Sequence, residues 1–304
     1  MFNSILFFYD LFGRRQREFP MVLERILELL QLPFMQRALW AGIFTGGMAG
    51  ALGSFTILRQ LSFFSDALGH SALLGISLGI ILGLNPSLML LPFAVVFALG
   101  VTYLLEHTRL WTDALLNIIY SGSLALAVVL LSLSDRYQGG LNNLLFGDIL
   151  AVRPADLVMS GTLCTLVGLF LLLTLRVQLL ITVNEALAVA QGAAVRRQRL
   201  LFITLLALVV AVSIKTVGVL LISAFVVIPA CGARLWSRQF SQYVVLAALV
   251  GVGSAIVGML VSAGMNWPSG PSIVVCQLAF FLISVALNLL PGAWVHRGQK
   301  SPTS

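Results

Sequence analysis

Asp66-Ala67-Leu68-Gly69-His70 opens an apolar run that extends to residue 84. Four residues make about one helical turn, so on a helix this carboxylate and imidazole project from one face. In a soluble chain the pair would carry little weight. Here charged residues are only 10% of the total and hydrophobic residues 59%, so two ionisable groups at the head of an apolar helix need a cause. Two readings stand open from the spacing alone. In one, Asp66 caps the helix start at an interface and His70 is satisfied by a hydrogen bond. In the other, the pair faces a metal or ion that crosses the membrane.

The surrounding chain decides the fold class. Soluble domains carry about 25% charged residues, far more than these 304 residues do. A bilayer core needs ~20 consecutive apolar residues per spanning helix, and several such runs are present. The expected fold is all-α, a polytopic helical membrane protein. A transmembrane barrel would show period-two alternation, which these runs lack. The net charge of +7 points to Arg-rich cytoplasmic loops beside anionic lipid rather than to nucleic acid. Cys164, Cys231 and Cys276 are far apart in apolar runs, which argues against a disulfide framework or a cysteine zinc site.

Expected spans are 38–58, 67–84, 88–105, 113–134, 155–175, 200–214, 217–233, 243–264 and 271–291. The sixth and seventh are short and meet at Lys215-Thr216, as two tilted crossings or a re-entrant pair, so the count is eight or nine. The membrane-spanning body is therefore 38–292. It follows an interfacial arm over 1–37, with Arg14, Arg15 and Arg17 and an amphipathic run from Met21 to Leu32, and it precedes a tail at 293–304. No cleavable signal is expected, because the basic residues follow the first apolar run. Lys and Arg cluster after odd-numbered spans: Arg59, Arg109, Arg176, Arg196, Arg197, Arg199, Arg234, Arg238, Arg297 and Lys300. Those loops are expected to be cytoplasmic. The N-terminal arm breaks this parity. A pair just after Arg59 then belongs near the cytoplasmic end of its span, unless its helix starts deeper.

Two connections carry signals of their own. In 182–199, Asn184 is a good N-cap, Glu185 suits the helix dipole, and Gly192 suits the C-terminal end. This predicts a short capped helix facing a cytoplasmic partner or plain solvent. In the loop 135–154, Phe146-Gly147-Asp148 follows Gly139-Gly140 and Asn142-Asn143. It reads as an ordinary connection or as a dock for a soluble partner.

Several chemistries fail on pattern. Gly75-Ile76-Ser77-Leu78-Gly79 matches G-x-S-x-G, but that motif needs a strand-to-helix turn and this copy lies within a helical span. Its small residues read as packing positions. H-E-x-x-H is absent, and so is the phosphate loop G-x-x-x-x-G-K-[ST]. ATP-driven work would therefore come from another subunit. Carboxylate plus neutral imidazole suits zinc, manganese or iron(II). Zinc usually takes four ligands, and a two-fold dimer would present this pair twice.

Beyond the pair, a set of stretches occurs in order over about residues 38–290. They are Leu52-Gly53-Ser54-Phe55, Leu58-Arg59, Asp66 to Ser71, Leu74-Gly75, Leu145 to Val152, Val217-Gly218, Ile228-Pro229-Ala230, and Gly270-Pro271-Ser272 with Cys276. Together they resemble the membrane permeases of bacterial zinc and manganese ABC transporters, the zinc-uptake branch most closely. That resemblance implies a vitamin-B12-permease-like (type II) importer fold in the bacterial inner membrane, working as a homodimer. It also implies cytoplasmic ATP-binding subunits, an extracytoplasmic metal-binding protein and no enzymatic activity or resident cofactor in this chain. It places Asp66 and His70 on the metal path. Asn184, Glu185, Ala188 and Gly192 fall in the region contacting the ATPase, and Phe146, Gly147 and Asp148 on the docking side. Two departures stand out: Gln60 where a second basic residue is common, and Gly69 where Ser or Ala is common. The metal is expected to be Zn2+, with Mn2+ or Fe2+ as the alternative. A proton-coupled secondary carrier is the rival of another class, although acidic residues spread over several spans and an inverted repeat are not evident.

Overall fold

In the computed structural model, residues 28–108, 110–133, 147 and 149–289 are described. Ten α-helices follow in order: α1 Pro33–Leu58, α2 Phe64–Ile81, α3 Pro86–His107, α4 Thr112–Ser132, α5 Pro154–Val183, α6 Glu185–Ala190, α7 Val195–Val217, α8 Ile222–Trp236, α9 Phe240–Met265 and α10 Ser269–Leu289. A single 3-10 turn, Ile149–Ala151, precedes α5, and no strand occurs among the described residues. The all-helical result has a simple cause. Lipid offers no partner to a backbone amide, so each span must satisfy its hydrogen bonds internally.

Among the described residues, eight helices are long and apolar enough to cross a membrane: α1 to α5, α7, α9 and α10. α8 is a shorter apolar helix of 15 residues. The sixth span is not short, as the sequence suggested. It runs from Val195 to Val217, so Lys215-Thr216 lies within its last turn and Arg196, Arg197 and Arg199 within its start. The break falls at Gly218, whose φ of 92° few other residues adopt. α1 starts at Pro33 instead of residue 38, with proline at the helix N-terminus, where its missing N–H costs nothing.

α1 is the axis of the bundle and packs against α9, α8, α5 and α7. Its glycines let neighbouring backbones close directly onto it. A methyl on Gly50 would strike the Ala247 carbonyl of α9, and one on Gly53 the Val226 carbonyl of α8. Gly46 and Gly251 face each other in the same way. This is small-residue packing, which brings helices close where water supplies no drive. α2 forms a second group with α3 and α4. Gly75, Ser77 and Gly79 are buried inside continuous helix, and a methyl on Gly75 would come within 2.6 Å of the Phe93 ring. The packing role expected for them therefore holds.

One end of the bundle gathers the odd-numbered connections. Arg59, Leu105, Thr112, Thr182, Glu185 and Arg199 line one cavity of about 320 Å³ there, and Arg196 pairs with Glu106 at 3.0 Å. At the opposite end Lys215 pairs with Asp156 at 3.1 Å, both partly buried. The three cysteines are unpaired and half-buried.

Candidate metal path

α2 starts at Phe64, three residues before the expected start of its span, which puts Asp66 in its first turn. A carboxylate there is favoured by the helix dipole. Asp66 and His70 are both half-buried. Asp66 opens onto a cleft of about 520 Å³ lined also by Ser62, Phe63, Asp113, Asn117 and Ser223. One turn on, His70 meets α4, with its ring edge-on to Tyr120 at 4.9 Å between centroids. Beside it, Ser71 and Ser123 share a 2.6 Å hydrogen bond. Among the described residues, no three His, Cys, Asp or Glu side chains come together in metal-binding geometry.

Asp113 and Asn117 escaped the reading of the sequence. Their signal was available: Asp113, Asn117 and Ser121 recur every four residues in an otherwise apolar span, and all three are exposed. Ser121 Oγ donates to Asn117 Oδ1 at 3.4 Å. A polar stripe on the outer face of a membrane helix is poorly suited to lipid.

The level of the pair follows from its neighbours. The Phe64 ring packs edge-on to Phe97 at 5.6 Å. On α3, nine residues separate Phe97 from Glu106 at the basic end, a rise of about 13 Å. On the other side, a methyl on Gly69 would lie 3.3 Å from the Val219 carbonyl, in the turn beyond the far end of α7. Asp66 nonetheless shares its cleft with Asp113, in the first turn of α4 and next to Thr112 of the basic-end cavity, so the pair has contacts toward both ends of the bundle.

The short helix α6 forms as its caps predict. Asn184 Oδ1 accepts the Leu187 N–H at 3.0 Å, and Gly192 has a φ of 79° just after the helix end. Ala188 turns inward and is fully buried between Ile181 and Val195. The outward apolar residues are Leu187 and Val189, 46% and 60% exposed. Glu185 accepts from Arg199 of α7, which ties the start of α6 to the bundle.

Arg59, just after α1, is anchored beneath this helix. Nε donates to Thr182 Oγ1 at 3.0 Å. Nη2 donates to the Gln178 carbonyl at 3.0 Å and to Gln178 Oε1 at 2.6 Å. Burial above all, together with the neighbouring Arg199 and against Glu185, lowers this guanidinium to about 10, so it stays charged at neutral pH. In the other expected docking segment, Phe146 and Asp148 lie outside the described residues, as do residues 1–27 and the tail. Gly147 is described. A side chain there would collide with the backbone of Val217 and Gly218, which gives this glycine a packing role.

These features define a class first: a multi-pass helical membrane protein with an ionisable pair on an internal helix. The chain belongs to the ABC 3 transport family, whose family model matches residues 31–288. It is similar to the high-affinity zinc uptake system membrane protein ZnuB of Haemophilus influenzae, with 35% identity over 82% of this chain and 95% of that protein. It is similar to the manganese import system permease protein ScaB of Streptococcus gordonii, with 33% identity over 87% and 95%. Among solved structures, PsaBC from Streptococcus pneumoniae in complex with Fab aligns with a TM-score of 0.78 and 30% identity, over 90% of this chain and 99% of that one.

Proposed function

We propose that this chain is the membrane-spanning permease subunit of an ATP-driven importer of divalent metal in the bacterial inner membrane, with Zn2+ as its cargo. The observation that carries the reading is the Asp66–His70 pair. It lies one helical turn apart on α2, half-buried inside an apolar bundle, with Asp66 opening onto a cleft. An ionisable group inside an apolar bundle is costly unless it has work to do. A carboxylate and a neutral imidazole are borderline ligands that suit zinc. Family membership supports the transport role. The zinc and manganese relatives, at 35% and 33% identity, are near enough to equal that the imidazole argument is what favours zinc.

In this mechanism two copies present two such pairs to a shared path, giving the four ligands zinc usually takes. ATP-binding subunits dock at the basic end, on Leu187 and Val189 of α6. A metal-binding protein delivers zinc at the opposite end, near Gly147. Both ligands bind metal in their deprotonated forms.

The test is uptake by the complex reconstituted with its ATPase and binding protein, comparing zinc and manganese with and without ATP. Zinc uptake that needs ATP and vanishes in Asp66→Ala and His70→Ala, with assembly intact, is the expected result. Normal uptake in both variants would remove the pair from the path. Manganese preferred over zinc would transfer the reading to a manganese permease, and ATP-independent uptake would favour a proton-coupled carrier.

A further inference from the structure

Arg59 joins parts of the molecule that the proposed function keeps separate. Its acceptors, Gln178 and Thr182, lie in the last turns of α5, directly before α6. Gln178 is fully buried and passes the contact on, its Nε2 donating to Gln198 Oε1 of α7 at 3.0 Å. The neighbouring Arg199 holds Glu185 at the head of α6. The Arg59 guanidinium also lies 4.5 Å from the centroid of the Phe202 ring and 5.6 Å from that of Phe55. One planar cation thus grips α5 and α7 at the root of α6, with donors pre-set in a fork.

On its other side Arg59 is joined rigidly to the pair. Arg59 N–H bonds Phe55 O at 2.9 Å, Gln60 N–H bonds Ile57 O at 3.2 Å and Leu61 N–H bonds Thr56 O at 2.9 Å. Phe64 N–H then bonds Leu61 O and Ala67 N–H bonds Phe63 O, both at 2.9 Å. The backbone between the cation and Asp66 is hydrogen-bonded almost throughout. Gln60 takes a φ of 57° to make the turn. A displacement of the α5–α6 corner therefore drags the start of α2, because separating Arg59 from Gln178 would strand a half-buried charge and a buried amide.

We infer that Arg59 is the positioning residue through which movement of α6 sets the Asp66–His70 pair, coupling ATP hydrolysis to metal passage. The inference rests on the permease reading. If Arg59 were only an anchor of the fold, its loss would lower hydrolysis and uptake together, in step with the amount of assembled complex.

The experiment measures zinc uptake and ATP hydrolysis in the same vesicles, with the full complex normalised to assembled protein. Arg59→Met is expected to keep hydrolysis while zinc moved per ATP falls about tenfold or more, the scale of one lost charge-assisted hydrogen bond. Arg59→Lys, which keeps charge but loses the fork, should fall between. If Arg59→Met fails to assemble, Thr182→Val removes one acceptor and should lower the same ratio by a smaller factor, roughly threefold, because the contacts to Gln178 remain. An unchanged ratio in the variants, or equal losses of hydrolysis and uptake, overturns the inference and leaves the permease reading intact. Absence of ATP-dependent uptake in the unmodified complex fails that reading instead.

Discussion

The two seams that meet within this bundle are built by opposite rules. Between α1 and α9 glycines bring backbone against backbone: Gly46 on Gly251 and Gly50 on the Ala247 carbonyl. Between α2 and α4 the contact is made by side chains, His70 on Tyr120 and Ser71 on Ser123, and it opens into the cleft that Asp66 shares with Asp113 and Asn117. The first seam has no slack, since interiors packed at crystal-like density do not deform by fractions of an ångström without cost. The second rests on side chains, which turn about their own bonds, beside an open cleft. A transporter needs both, a frame that holds its shape and a wall that yields.

The largest effect should come from filling the tight seam. Gly50→Val places two methyl groups where the Ala247 carbonyl stands, and overpacking of this kind costs about 1–3 kcal/mol or more. Thermal unfolding in detergent should show a sharply destabilised protein or none recoverable. Asp66→Ala should do the reverse, leaving the unfolding midpoint nearly unchanged while uptake disappears. A collapse of stability there would mean that the yielding seam is also a structural one. Ser71→Ala removes the Ser123 contact and should cost roughly 1 kcal/mol, read as a modest fall in the same midpoint. Gly69→Ala is the smallest. The new methyl meets the Val219 carbonyl at 3.3 Å, tight but movable, and the loss is offset by about 0.5–1 kcal/mol of helix preference over glycine. A large drop in stability would show that α2 is gripped as tightly as α1.

Much of this architecture was legible beforehand. The low charge and long apolar runs made the chain helical and membrane-spanning, because lipid leaves the backbone few alternatives. The caps at Asn184 and Gly192 marked α6 correctly, since a side-chain acceptor and a left-handed glycine act locally. What distant contacts determine was harder to read. That α2 begins at Phe64 rather than residue 67 goes with Phe64 packing on Phe97, and no local pattern records such an encounter. Ala188 was singled out, yet it is the buried residue of its helix and its neighbours Leu187 and Val189 are the exposed ones. Asp113 and Asn117 were visible as a four-residue rhythm, but only the fold brings them to the cleft of Asp66.

The brevity of α8 has a consequence for the backbone that precedes it. Its 15 residues rise about 22 Å, against a hydrocarbon core of about 30 Å. The remaining distance falls to the Gly218–Leu221 turn, whose backbone leans on Gly147 and Gly69. Protein rather than lipid surrounds that stretch: α8 has no exposed residue from Ile222 to Ala233, and Gly218 and Val219 are buried as well. An irregular backbone at this depth is tolerated where protein covers it. The turn rests on the first third of α2, the same end that Arg59 leads into.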